Sequence, residues 1–89
     1  MNEKKNLFWA NPKVDFVNND WSIILNNQID GTITLLEIPK NTFSIKGEKP
    51  LKIRKDKPYY IDLYLDAKTL LEINSKNDFS KYSIYKRKY

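Results

Sequence analysis

Hydrophobic and polar positions alternate along several short stretches of this chain. The clearest stretch runs from Tyr59 to Asp66, where one set of alternate positions is tyrosine, isoleucine and leucine, and the other is tyrosine and aspartate. Successive side chains of a β-strand point to opposite faces of a sheet, so this period of two predicts a half-buried strand. Segments 42–46 and 51–55 alternate in the same way, and the turn sequence at 47–50 between them predicts a hairpin.

Other stretches are apolar on both faces. Thr32 to Ile38 carries adjacent leucines, as a central strand does, and Trp21 to Leu25 predicts a neighbouring strand. Ser80 to Tyr85 is a further strand candidate. With these segments, the pattern predicts a mainly β fold of five to seven short strands, built as a small sandwich or a partly open barrel, with room for one short helix.

Three features leave alternatives open. The pair Asn11-Pro12 predicts the start of a short helix, or alternatively Val14 to Val17 predicts an edge strand. Residues 67–74 predict either a helix or a strand. The segment 34–44 also resembles the segment 69–80, since both begin with the sequence Thr-Leu-Leu-Glu-Ile. This similarity indicates either an internal duplication or chance in a chain of biased composition. A true duplication predicts a strand at 69–73.

The length of the chain limits its organisation. Its 89 residues predict one small domain, with residues 1–12 and 86–89 as loosely ordered ends. The cluster Glu3-Lys4-Lys5 is followed by only four apolar residues, whereas a secretory leader needs about 7–15 of them and a membrane-spanning helix about 20. We therefore expect a cytoplasmic protein that does not enter a membrane.

Two missing residue types narrow the chemistry. The chain has no cysteine, which excludes disulfides, thiolate nucleophiles and cysteine-based zinc sites. It also has no histidine, the one side chain whose ordinary pKa lies near neutrality. Its two glycines are isolated, so a glycine-rich phosphate loop is excluded as well. We expect a protein that is not an enzyme and that has no cofactor and no metal site.

The net charge of +5 is concentrated in two places, a central basic block at residues 40–57 and the C-terminal tail. A cationic hairpin can follow a phosphate backbone or meet an acidic protein surface, or its lysines can serve only to protect a solvated sheet edge. In the tail, tyrosines alternate with cations, and such rings can stack on unpaired bases. The candidate binding residues are Lys40, Lys46, Lys49, Lys52, Arg54, Lys55, Lys57, Tyr82, Tyr85, Lys86, Arg87 and Lys88.

One predicted strand face is acidic and aromatic instead. It carries Tyr60, Asp62, Tyr64 and Asp66, a composition that suits recognition of a basic or polar protein and also suits a solvated sheet face. The favoured function is a small protein-binding module, such as an inhibitor, adaptor or accessory subunit of bacterial or phage origin. The alternative is a DNA- or RNA-binding protein that uses the basic hairpin and the tail. A homodimer that pairs through sheet edges is a further expectation.

Overall fold

The computed structural model describes residues 6–89, and within that range the chain forms five β-strands in two antiparallel sheets. The predicted mainly β class is confirmed, and the arrangement fits a small sandwich or partly open barrel. Residues 1–5, which include the Glu3-Lys4-Lys5 cluster and part of the expected loose N-terminal end, lie outside the described residues. The elements are β1 (Leu7–Ala10), β2 (Trp21–Asn27), β3 (Thr32–Ile38), β4 (Leu63–Asp66), β5 (Ser83–Lys88) and the 3-10 helices Val14–Asn18 and Ser80–Tyr82.

The larger sheet has the strand order β2-β3-β5. β3 is its central strand, as the apolar residues on both of its faces predicted. β2 and β3 pair without interruption from Trp21 opposite Ile38 to Asn27 opposite Thr32. The turn between them ends at Gly31, whose φ of 69° lies in the left-handed region that glycine adopts without strain.

The smaller sheet pairs β1 with β4, and the strand predicted at 59–66 supplies β4. Its alternation is confirmed from Ile61 onward, because Ile61, Leu63 and Leu65 are buried while the residues between them are half-buried. Tyr59 departs from the pattern and is 81% exposed, since it belongs to the turn that precedes the strand. The regular strand is therefore shorter than the alternation suggested.

The hairpin predicted between 42–46 and 51–55 does not form. Residues 42–46 follow an irregular path, and one backbone hydrogen bond, from the Leu51 amide to the Ser44 carbonyl at 2.8 Å, joins the two segments. Phe43 explains the difference, because it stacks on Phe79 of the core with ring centroids 4.1 Å apart. This contact takes the segment away from a strand path.

Residues 51–55 pair with a different segment. The Arg54 amide donates to the Tyr60 carbonyl at 3.0 Å, and the Asp62 amide donates to the Lys52 carbonyl at 2.7 Å. A tight turn at 55–59 closes this pairing. Residues 51–54 of the basic block therefore belong to the layer of the smaller sheet.

The structure also decides between the alternatives of helix and strand that the sequence left open at two segments. Residues 14–18 form a short helical turn, and no edge strand forms there. Residues 67–74 form turns and isolated bridges, so neither the helix nor the strand expected there is present, and the strand that a duplication required at 69–73 is absent. Leu70 has a φ of 59°, a conformation that interrupts any strand. The last strand begins at Ser83, three residues later than predicted, because Ser80–Tyr82 is helical.

The hydrophobic core lies between the two sheets. Its buried residues come from both layers and from the connecting segments: Phe8, Val17, Trp21, Leu25, Leu36, Ile38, Phe43, Leu51, Ile61, Leu63, Leu65 and Phe79. A carboxylate shares this interior, since Glu72 is fully buried. The core leaves the outer faces of both sheets available for binding.

Candidate functional site

Arg54, the one arginine of the central basic block, is held by an acid in the same turn. Its Nε donates to Asp56 Oδ1 at 2.9 Å, its Nη2 donates to Asp56 Oδ2 at 2.7 Å, and its Nη1 donates to Asn11 Oδ1 at 3.1 Å. The side-chain hydrogen bond between the pair raises the pKa of Arg54 and lowers the pKa of Asp56. The two-pronged geometry that grips a phosphate or a guanine is thus already occupied by a carboxylate.

The lysines of the central block do not share one face. Lys40 lies two residues beyond the end of β3, where its amide donates to Asp20 Oδ1 at 2.8 Å. The other exposed lysines lie in the irregular loop at 44–50, beside the short pairing at 51–54 and in the turn at 55–59. Because the predicted hairpin is absent, the cationic ribbon expected from it is absent too. The exposed lysines in the loop, beside the pairing and in the turn are Lys46, Lys49, Lys52, Lys55 and Lys57.

The C-terminal tail is ordered by its pairing with β3. Tyr85 lies opposite Leu35 and Arg87 opposite Ile33, on the side that faces away from the core. Lys86 and Lys88 lie opposite buried threonines and therefore point to the other side. Tyr82 is separate from these residues, since it packs edge-on against Phe43 with ring centroids 5.6 Å apart.

Lys40 and the end of the C-terminal tail lie at opposite ends of the larger sheet. Lys40 follows the last residues of β3, whereas Lys88 pairs with Thr32 at the first residue of that strand. The six steps between the first and last residues of β3, at about 3.3 Å each, separate the two ends of the strand by about 20 Å, and Lys40 lies beyond the far end. The structure therefore does not bring Lys40 and Lys88 into one cationic tract.

The outward side of the larger sheet presents apolar and aromatic side chains to solvent. Ile24 is 71% exposed, Ile84 57%, Tyr85 48% and Tyr89 69%. Ile24 stands in one row with Leu35 and Tyr85. The Tyr89 hydroxyl crosses the same face and donates to Asn26 Oδ1 at 2.8 Å. We call this surface the outer sheet face, and it comprises Ile24, Ile33, Leu35, Ile84, Tyr85, Arg87 and Tyr89.

A groove and a bulge shape one end of the outer sheet face. The pairing of β3 with β5 shifts between Leu35 and Leu36, which leaves Ile84 as an extra residue in β5. Ile84 then borders a shallow groove of about 480 Å³ together with Ser22 and Glu37. The bulge thus adds an aliphatic side chain at the rim of the face.

Sequence reasoning selected Tyr85 and Arg87 of this face but missed Ile24, Ile84 and Tyr89. The run Ile23-Ile24-Leu25 was the available signal, because it is apolar on both sides of a strand. A run of this kind is typical of a strand buried on both sides, yet in this fold the second side of β2 is open. Simple alternation groups Ile84 with Tyr82 on one face of the strand. The bulge changes this placement, so periodicity did not identify Ile84 as part of the outer sheet face.

The predicted acidic and aromatic face lies on the smaller sheet. Tyr64 stands opposite Trp9, and the Trp9 indole nitrogen donates to Asp62 Oδ1 at 3.2 Å. Asp66 is used inside a turn, where its Oδ2 accepts from the amide of Thr69 at 2.8 Å and from that of Lys68 at 2.9 Å. These hydrogen bonds, the one from the Thr69 amide foremost, lower the pKa of Asp66. Both carboxylates therefore have intramolecular partners, while Tyr60 and Tyr64 stay half-exposed.

Two further observations concern the described part of the chain as a whole. Within residues 6–89, no three or more aspartates and glutamates cluster closely enough to hold a metal ion. Over the same range, none of the helices has the length and apolar character needed to cross a membrane.

No protein-family model matches this chain, and neither does any curated protein or any solved structure. Its function has to be argued from its own surfaces.

Proposed function

We propose that this chain is a small non-enzymatic protein-binding module, acting as an inhibitor, adaptor or accessory subunit, and that it binds through the outer sheet face. The exposure of Ile24, Ile84 and Tyr85 supports this proposal most directly. Contiguous exposed apolar surface is uncommon on small soluble domains and marks interaction sites. Burying it against a partner is favourable by about 25 cal/mol per Å².

The charges around the outer sheet face suggest the chemistry of the partner. Arg87 lies on the face itself, and Lys86 and Lys88 flank it in a strand that contains no acidic residue. Arginine and tyrosine are the side chains most enriched at the centres of protein interfaces. We therefore propose a protein partner with an apolar centre and an acidic rim that meets β5. Such charge complementarity accelerates association and selects the partner.

Nucleic-acid binding is the second candidate function, and the positions of Tyr85, Arg87 and Tyr89 favour it. These residues are spaced two apart in sequence, so two exposed rings flank one cation on a sheet face. Rings in this arrangement stack on unpaired bases, and the cation meets the phosphates between them. We rank it second because exposed isoleucines add nothing to base stacking and because Asp56 occupies Arg54. In either case the expected location is the cytoplasm.

The first experiment identifies a partner and maps it to the outer sheet face. The tagged full-length chain is used to capture proteins from lysate after nuclease treatment, and the captured protein is then purified and titrated by calorimetry. Tyr85→Ser and Arg87→Glu are each expected to weaken this binding at least about tenfold, since interface aromatic and arginine residues contribute about 1–4 kcal/mol. Tyr59→Ser is the control, because Tyr59 is also an exposed tyrosine, 81% against 48% for Tyr85, but lies in the other layer.

The outcomes separate the two candidates. Binding that survives nuclease but is unchanged in Tyr85→Ser contradicts the assignment to this face. Capture that vanishes with nuclease, together with retention of oligonucleotides that falls steeply between about 50 and 200 mM salt, replaces the protein partner with nucleic acid. In that case the triple change of Lys46, Lys52 and Arg54 to glutamate tests whether the central block contributes.

A further inference from the structure

The two edges of the larger sheet are chemically opposite. β5 ends in Lys86, Arg87 and Lys88 and carries a bulge, two features that discourage pairing with another strand. β2 has neither a charged residue nor a proline or glycine, and its seven residues pair with β3 without a bulge. A flat, uncharged edge strand of this length is a template for an added strand.

The backbone groups available at the β2 edge follow from the hydrogen bonds of β3. The Tyr89 amide donates to the Gly31 carbonyl at 2.9 Å, so this carbonyl points toward β5, while the Gly31 amide closes the turn by donating to the Asn27 carbonyl at 2.9 Å. Carbonyl direction alternates along a strand, and hence the carbonyls of Thr32, Thr34, Leu36 and Ile38 point toward β2. Their partners on β2 point back toward β3. The amides and carbonyls left at the free edge are those of Ser22, Ile24 and Asn26.

We propose that a second copy of this chain pairs with β2 through an antiparallel two-fold contact centred on Ile24. In this register Ser22 lies opposite Asn26 of the second copy, and Ile24 lies opposite its own equivalent. Each of the three pairs exchanges two main-chain hydrogen bonds. The pair of Ile24 side chains, each 71% exposed in the single chain, cover one another on the outer sheet face.

Charge and symmetry favour a second copy over a foreign strand. The exposed pattern of β2 is serine, isoleucine and asparagine at alternate positions, so it is polar, apolar and polar in both directions and suits a two-fold axis. No like charges meet across this contact. The same operation at β5 would place Lys86 against Lys88 of the second copy and Arg87 against its own equivalent, which is repulsive. The dimer therefore forms at β2.

The proposal is independent of the proposed function, because its test uses the purified chain alone. Sedimentation equilibrium is expected to show a species of twice 10.6 kDa at high protein concentration. Each copy carries a net charge of +5, so added salt is expected to strengthen the dimer by screening the repulsion. Binding to an acidic partner or to nucleic acid weakens with salt. Added salt therefore changes dimerisation and partner binding in opposite directions.

Two charged variants make the test specific. Ile24→Lys and Ile24→Glu are each expected to remain monomeric, because each places like charges on the two-fold axis, whereas an equimolar mixture is expected to form the dimer again. Ile84→Lys is the matched control, since it makes the same change on the same face but on β5, the opposite edge strand of the sheet, and it is expected to dimerise. Restored dimer in the mixture also shows that both variants are folded.

A wild-type chain that sediments as a monomer up to about 1 mM would overturn the proposal. So would an Ile24→Lys variant that dimerises as well as the wild type, or a mixture that gives no dimer although circular dichroism shows both variants folded. Ser22→Pro provides an independent check. It removes an amide that points to the free edge and leaves the pairing with β3 intact, so it is expected to weaken the dimer without unfolding the chain.

Discussion

At the scale of single residues, Glu72 shows how this small core accommodates a carboxylate. Its Oε2 accepts from the Tyr64 amide at 2.9 Å, and its Oε1 accepts from the Ser75 amide at 2.8 Å and the Ser75 hydroxyl at 2.9 Å. A buried acid without such partners would be strongly destabilising. With these hydrogen bonds, the Glu72 carboxylate connects β4 to the turn at 72–75 and holds the two segments together.

Glu72→Gln tests this role. The amide group offers one acceptor oxygen where the carboxylate offered two, so one backbone amide loses its partner and faces another donor. We expect the free energy of unfolding to fall by about 1–3 kcal/mol, measured by urea denaturation. Glu37→Gln is the control, because Glu37 is exposed, and it is expected to change stability by less than about 0.5 kcal/mol. Equal effects of the two changes would contradict this account of Glu72.

Lys76 has a different residue-scale property, a φ of 64° without being glycine. This left-handed conformation costs a side-chain-bearing residue about 1 kcal/mol, and Lys76 is exposed, so it has no packing to lose. We expect Lys76→Gly to raise the free energy of unfolding by about 0.5–1 kcal/mol in thermal or urea denaturation. Lys81→Gly, in the helical turn Ser80–Tyr82, is expected to lower it. A loss of stability in Lys76→Gly would disprove the strain.

At the scale of elements, the sequence predicted strands better than it predicted their partners. β3 and the run at 61–66 follow from periodicity, because burial on one or both faces imposes that pattern locally. Segment 42–46 has the same alternation and yet is irregular, since Phe43 packs on Phe79 from the far end of the chain. A local pattern does not contain such a distant contact. For the same reason it could not show that 51–54 pairs with 60–62.

Phe43→Ala tests whether this stacking holds the connecting segment to the core. Phe43 is 8% exposed, and removing a buried ring typically costs about 3–5 kcal/mol. We expect a loss of about 3 kcal/mol in the free energy of unfolding. Phe16→Ala is the control, because Phe16 is 41% exposed, and its effect is expected to be about 1 kcal/mol or less. Similar losses would show that Phe43 is not an anchor.

At the scale of the whole molecule, the titrating groups predict how stability depends on pH. Hydrogen bonds from Arg54, the Thr69 amide and the Ser80 hydroxyl lower the pKa values of Asp56, Asp66 and Asp78 respectively. A carboxylate whose pKa is depressed by folding stabilises the folded state above its ordinary pKa of about 3.8, and this stabilisation is lost as the pH falls through the depressed value. The chain has no histidine to add a transition near neutrality.

We therefore expect the urea midpoint to be nearly constant between about pH 5 and 8 and to fall below about pH 4. Asp66→Asn is expected to be less stable at pH 7 and to decline less steeply in acid, because the variant has one linked proton fewer. Asp15→Asn, at a surface carboxylate with no side-chain hydrogen bond within residues 6–89, serves as the control. An acid decline of Asp66→Asn as steep as that of the wild type would contradict the role of Asp66.

The candidate site was predictable only where it depended on residue type. Tyr85 and Arg87 were selected because they alternate with other cations and rings, whereas Ile24 was missed because an isoleucine beside apolar neighbours predicts burial. Its exposure depends on the position of β2 at the edge of the sheet. Ile84 depends on a bulge, which periodicity does not encode. The basic residues show the reverse. The central block is prominent in the sequence, but in the structure its lysines are dispersed and Arg54 is paired with Asp56.

The cationic residues and the bulge at the β5 edge affect whether the sheet can extend by adding further copies of the chain. A chain polymerises through its sheet only if both edges of the sheet can accept another copy. In the larger sheet, only the β2 edge is suited to this. Once two copies have joined at β2, both outer edges of the combined sheet are β5 strands with their lysines, arginine and bulge. Both edges of the proposed dimer disfavour pairing with a third copy. In that dimer, the cationic strand favours a closed pair over growth into a fibre.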